Sequence, residues 1–148
     1  MKRLAAISLL VVISLTLVTA QVSKTPFAIA DLYRIQSVAD PQVSPDGRRV
    51  AFTVTISDMA KGTTNSDVYV VNMDGTGLHR LTASDKSDST PRWSPDGRTL
   101  LFVSTRADGA QLWLLPADGG EPTQLTRLST GVADPVWAPD GKSVIFTS

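Results

Sequence analysis

One motif occurs three times in this 148-residue chain, and no other feature constrains the fold as strongly. The segment from Pro41 to Thr53, PQVSPDGRRVAFT, returns as PRWSPDGRTLLFV from Pro91 to Val103 and as PVWAPDGKSVIFT from Pro135 to Thr147. The copies are offset by 50 and then 44 residues. A second block recurs between them. Asp67 to Gly75, closing at Leu81-Thr82, matches Gln111 to Gly119, closing at Leu125-Thr126, at an offset of 44. The six-residue excess therefore lies in the first unit, where Lys61 to Asn65 reads as an enlarged loop. A period of this length signals stacked supersecondary units.

Each unit reads as four short strands. The first strand ends at Val43, Trp93 or Trp137 and runs into a turn made by Pro45, Asp46 and Gly47, by Pro95, Asp96 and Gly97, or by Pro139, Asp140 and Gly141. Proline presets φ, aspartate caps the turn, and glycine takes a positive φ that costs other residues energy. The second strand carries Val50, Phe52 and Val54 on one face in the first unit. In the others, Leu100 to Val103 and Val144 to Phe146 are apolar on both faces and must be covered on both. The third strand spans Val68 to Met73 or Leu112 to Ala117, and the turns Asp74-Gly75 and Asp118-Gly119 lead to a fourth ending in Leu-Thr. With 13 Asp, 15 Ser, 16 Thr, 10 Gly and 9 Pro, the composition favours turns and strands over helices.

Four strands in about 44 residues, buried on both faces, predict an all-β fold of β-propeller type. The chain holds two full four-stranded blades and half of a third, over 41–82, 91–126 and 135–148, so the propeller is incomplete. Closing a ring takes roughly four to eight blades. The expected partners are therefore downstream blades, or other chains that complete the ring. Ahead of the repeats, 21–40 reads as a lead-in segment. Thr25-Pro26 is positioned to cap and start a short helix with Ile29, Leu32, Tyr33 and Gln36 on one side, the alternative being an extended strand that pairs with the last blade.

The first 20 residues are set apart from the fold. Lys2 and Arg3 precede an apolar run from Leu4 to Val18, and Val18-Thr19-Ala20 offers small residues for cleavage. This pattern predicts a signal peptide cut after Ala20 and a periplasmic or secreted product, free of the membrane after cleavage. The run is shorter and more polar than a spanning helix requires. With no Cys there is no disulfide and no thiolate metal site. The formal charge is zero, from 14 basic and 14 acidic residues, and leaves no electrostatic footprint for nucleic acid.

Catalytic motifs are not recognisable: there is no Gly-x-Ser-x-Gly elbow, no His-Glu-x-x-His and no phosphate loop. His79 is the only imidazole and reads as a solvated residue on a fourth strand. Ser44 and Ser94 belong to the repeated turn, and Ala138 in the third copy argues for turn chemistry over nucleophilic attack. Asp46, Asp96 and Asp140 occur once per blade and read as turn residues instead of a converging metal set. Asn72, Asp74, Asp85 and Asp88 are candidate oxygen ligands for calcium, but the single Glu, Glu121, leaves the bidentate position of a helix-loop-helix site unfilled. Trp93, Trp113 and Trp137 resemble a stacking platform for bases or sugars, yet their repetition makes them core. No catalytic, cofactor-binding or metal-binding residue is assigned, and no cofactor is expected.

The Trp-Ser-Pro-Asp-Gly-Arg turn, the apolar-Phe strand and the Asp-Gly…Leu-Thr closure resemble the PD40 repeats of TolB-like propellers. They also resemble those of the prolyl oligopeptidase family of serine peptidases, which includes dipeptidyl and acylaminoacyl peptidases. The likeness covers about Asp31 to Ser148. Asp31-Leu32-Tyr33-Arg34-Ile35, running into Val38-Ala39-Asp40-Pro41, and Leu128 to Trp137 resemble exported bacterial members of the peptidase family. The resemblance implies a non-catalytic propeller that gates access of short peptides to a separate α/β-hydrolase domain. The nucleophile, acid and base would lie outside this chain, which should be inactive alone. A TolB-like module that binds protein is the alternative.

Overall fold

The computed structural model describes residues 26–148. The expected signal peptide and the start of the lead-in, including Thr25, lie outside the described residues.

The repeats fold as successive antiparallel sheets. The first contains β1 (Ser37–Val43), β2 (Arg49–Asp58), β3 (Thr63–Asn72) and β4 (His79–Arg80), paired in that order. The second contains β5 (Asp88–Trp93), β6 (Thr99–Ala107), β7 (Gly109–Pro116) and β8 (Thr123–Gln124), again in sequence order. The third has two strands, β9 (Ala133–Trp137) and β10 (Val144–Thr147). This is an incomplete propeller of two whole blades and half of a third, as the repeat predicts.

Alternating side chains explain the stacking. On β6, Leu100 and Phe102 face the first blade. Leu100 packs with Ala51, Val70, Trp93 and Ala117, while Phe102 packs with Val68 and Leu115. Leu101 and Val103 face the other way and cluster with Leu112, Val132, Trp137, Val144 and Phe146. A strand apolar on both faces is thus covered on both. On the first blade, the ladder places Phe52 opposite Tyr69, their rings 6.0 Å apart. This pair alternates with Ala51 and Val70, so it lies on the face turned away from the second blade.

Three local readings change. The excess of the first unit is not a loop over Lys61 to Asn65. The β2–β3 ladder continues from Arg49↔Asn72 out to Asp58↔Thr63, so Thr63, Thr64 and Asn65 are strand residues. β-Branched threonines suit the pleat, Gly62 (φ +62°) turns the tip, and the Lys61 amide donates to Asp58. The third strands accordingly begin earlier than the sequence places them. Each fourth strand is only two residues long, and the Leu-Thr closure lies just beyond it. There the Thr82 and Thr126 hydroxyls accept the Val68 and Leu112 amides, so a side chain replaces the next ladder bond.

The lead-in contains a short 3-10 helix, Ile29–Arg34, lying against β2. It starts three residues after Pro26, and the Asp31 carboxylate accepts the Ala28 amide at 2.8 Å to secure its first turn. Ile29 and Leu32, expected on its apolar side, are exposed.

Candidate functional site

The recurring turns form one end of the blades. Gly47, Gly97 and Gly141 have φ of +71°, +70° and +66°, and each donates its amide to the residue three places back. The Ser44 hydroxyl donates to Asp46 at 2.6 Å and accepts the Arg49 amide at 2.9 Å. Ser94 does the same with Asp96 and Thr99. The Asp46 and Asp96 carboxylates also accept the Arg48 and Arg98 amides, and these hydrogen bonds, the serine ones foremost, hold both carboxyls below their ordinary pKa. Asp140 accepts the Lys142 amide, with Ala138 supplying no hydroxyl. Each aspartate closes its own turn, and the three do not converge.

Neighbouring blades are locked by a second repeated device. The Trp93 indole donates to the Gln42 carbonyl at 2.9 Å, and the Trp137 indole to the Arg92 carbonyl at 3.2 Å. Each tryptophan reaches back to the first strand of the preceding blade. Arg49 lies over the Trp93 ring, 5.0 Å from its centroid, and donates to the Ala117 carbonyl and the Asp118 carboxylate. Trp93 and Trp137 are structural joints between blades, whereas Trp113 lies beneath Arg106 of its own blade.

A bulge in every first strand is absent from the sequence reading. Asp40, Thr90 and Asp134 have φ of +51°, +58° and +49°, each directly before the proline that opens a repeat. In β1 and β5 the register shifts across this site, between Ala39 and Gln42 and between Ser89 and Arg92. Arg92 crosses to the first blade and donates to Asp40 at 2.7 Å. Aspartate, present at two of the three sites, tolerates the left-handed region better than most residues, but a following proline favours extended backbone, so the sequence alone does not announce the bulge.

At the opposite end, the second-to-third-strand hairpin and the loop leaving the fourth strand enclose a groove in each full blade. In the first blade its volume is about 480 Å³, and it is lined by Asp58, Lys61, Asn65, Asp67, Arg80 and Asp85. In the second it is about 680 Å³, with Asp108, Gln111, Gln124 and Arg127 among its lining residues. The repeat-equivalent Asp67 and Gln111 are both buried. Asp67 pairs with Arg80 at 2.6 Å, and Gln111 accepts from the Thr126 hydroxyl and the Leu128 amide. Burial raises the Asp67 pKa, with Asp88 adding repulsion, against the opposing pull of the Arg80 hydrogen bond and charge.

Three of the four candidate calcium ligands are engaged elsewhere. Asp74 accepts the Thr76 amide and hydroxyl, Asn72 donates to Thr76, and buried Asp88 pairs with Arg106 at 2.5 Å. Arg106 lies over both Phe102 and Trp113. Among the described residues no three His, Cys, Asp or Glu side chains form a metal-binding group. His79 is exposed on β4, its Nδ1 2.9 Å from the Gly77 carbonyl.

Residues 23–148 match the PD40 family model, described as the TolB beta propeller domain. The chain belongs to this family. Among curated relatives of this PD40 domain, YuxL, an uncharacterized peptidase of Bacillus subtilis, is 41% identical over 102 residues. The match takes in 68% of this chain and 16% of YuxL, so the chain spans only about a sixth of that relative. A solved TolB-type protein from Agrobacterium tumefaciens is 29% identical, with a TM-score of 0.59, over 73% of this chain and 38% of that one. The acylaminoacyl peptidase of Pyrococcus horikoshii shares the fold at 19% identity, TM-score 0.64, over 78% of this chain and 18% of the enzyme. The domain is therefore a TolB-type propeller related to the propellers of peptidases.

Proposed function

We propose that this propeller is the non-catalytic N-terminal part of an exported serine peptidase, in which it restricts access of short peptides to a separate hydrolase domain. The observation that carries the reading is the 41% identity to YuxL, spread over two blades' length. The described side chains fit a scaffold. The turn serines serve their own aspartates, and the tryptophans hold blade to blade. On this reading the leader over 1–20 directs export and is removed after Ala20.

The test is capture, from the native host, of the polypeptide that contains these residues, using a serine-reactive fluorophosphonate. A labelled species several times heavier than this chain, cleaving short peptides in preference to folded proteins, is the expected result. The 29% identity to the TolB-type protein favours a second reading, a protein-binding propeller. An unlabelled polypeptide that co-purifies with envelope proteins would replace the peptidase reading with that one. A labelled species no heavier than this chain would overturn both.

A further inference from the structure

The two joints between blades are built alike at the end that carries the recurring turns, and one side chain differs. A Cβ built on Gly97 would lie 3.6 Å from Pro45 Cδ, and one on Gly141 would lie 3.6 Å from Pro95 Cδ, so the turns meet at the same spacing. At the first joint Arg49 runs across the seam. Its guanidinium lies over Trp93 and donates to the Ala117 carbonyl, the Asp118 carboxylate and, at 3.5 Å, the Gly97 carbonyl. At the second joint the repeat places Thr99 where Arg49 stands. A threonine side chain ends at its γ atoms and does not reach over the next tryptophan.

A pocket of about 200 Å³ lies at that place, lined by Ser94, Asp96, Thr99, Trp137, Asp140 and Gly141. Apart from Thr99, each has a counterpart of the same type at the first joint, namely Ser44, Asp46, Trp93, Asp96 and Gly97. Trp93 lies under Arg49 and Trp113 under Arg106, each guanidinium 5.0 Å from the ring centroid. Among the described residues no arginine lies over Trp137, which is half-buried. Hydrogen bonds from Ser94 and the Arg98 amide keep the Asp96 carboxylate ionised beside it. The flanking cations, Arg98 and Lys142, correspond to Arg48 and Arg98 at the first joint, where a guanidinium is held in their presence.

We propose that the seam between the second and third blades binds a guanidinium, the side chain of an arginine on another polypeptide segment, which stacks on Trp137 and donates to the Gly141 carbonyl and the Asp140 carboxylate. A planar, delocalised cation suits a site made of an aromatic face and oxygen acceptors better than an ammonium does. The Ala117 carbonyl and Asp118 carboxylate of the first joint come from the end of a third strand and act as acceptors for Arg49. On the repeat, the corresponding positions of the third blade fall after Ser148 and border the pocket as further acceptors instead of filling it. Every group named in the proposal lies in the two blades, so the site stands whether or not a hydrolase domain follows.

The test is an NMR titration of the full, isotope-labelled chain with N-acetyl-L-argininamide, following the indole N–H signals of its three tryptophans, with Trp137→Phe assigning one of them. The Trp137 signal is expected to shift and to saturate at roughly millimolar ligand. Trp93 and Trp113, already under arginines, should hold still. N-acetyl-L-citrullinamide, a neutral isostere, should give no saturable shift. Thr99→Arg supplies a guanidinium from within, as Arg49 does, and should move the Trp137 signal without ligand and abolish the titration. A Trp137 shift no larger than those of the other indoles, an equal response to the citrulline compound, or a titration that survives in Thr99→Arg would each overturn the proposal. The comparison of the two ligands on the unsubstituted chain decides the matter even if Thr99→Arg fails to fold.

Discussion

Replacing Gly97 by Val isolates the backbone requirement of the recurring turn. Gly97 has φ +70°, and a Cβ built there would lie 3.6 Å from Pro45 Cδ, an ordinary contact. Steric overlap therefore contributes little, and the cost is conformational. Placing an L residue in the left-handed region costs about 1–2 kcal/mol, and more when the side chain is β-branched. Reduced freedom of the unfolded chain returns about 0.4–1 kcal/mol. With the β-branched increment partly offsetting that return, a net loss of about 1 kcal/mol is expected, read as a drop of about 3–6 °C in melting temperature. Gly47 is a control with the same φ, +71°, and no atom within 4 Å of the added Cβ. Gly47→Val should lose the same amount, whereas Gly97→Asn should lose only a few tenths of a kcal/mol, since asparagine tolerates this region. Urea and thermal denaturation of the three variants decide the matter. An unchanged Gly97→Val protein, or an asparagine variant as weak as the valine one, would refute backbone strain as the cause.

Ala138→Ser should restore the hydroxyl that Ser44 and Ser94 supply, bridging Asp140 and the Ser143 amide, and raise stability by about 0.5–1 kcal/mol in urea titration. Phe102→Ala empties the joint between the first two blades, where the ring is 1% exposed, and should cost about 3–5 kcal/mol by the same measurement. The lowered carboxyls Asp46 and Asp96 give stability that is present above their ordinary value of 3.8 and lost as pH falls through their folded values. Their Asn variants should flatten the acid limb of a stability–pH profile. Asp67 has the opposite sign. Its folded pKa is raised, so the native state binds the extra proton, and stability falls as pH rises from 3.8 through the folded value. Asp67→Asn should remove that decline, and an unchanged profile would show that Arg80 already compensates the buried charge.

The sequence by itself determined the period, the turns and the two-sided burial. Each follows from local chemistry: Pro-Asp-Gly sets a turn within four residues, and Leu100 to Val103 must be covered on both faces whatever covers them. The same patterning identified Trp93 and Trp137 as core, because they recur at a fixed distance before a turn. What each tryptophan touches was not legible. Trp93 meets Gln42 across 51 residues, and Arg49 meets Asp118 across 69. Such partners are brought together only when one sheet stacks on another. The bulge at Asp40, Thr90 and Asp134 belongs to the same class, since its use as a cation acceptor depends on the neighbouring blade. The repeat aligns Asp67 with Gln111, but their burial at the floor of a groove was not legible, because neither a carboxylate nor an amide signals a buried position. Tertiary structure decided these features because sheet stacking, which no single repeat contains, sets the distance and burial on which each contact depends.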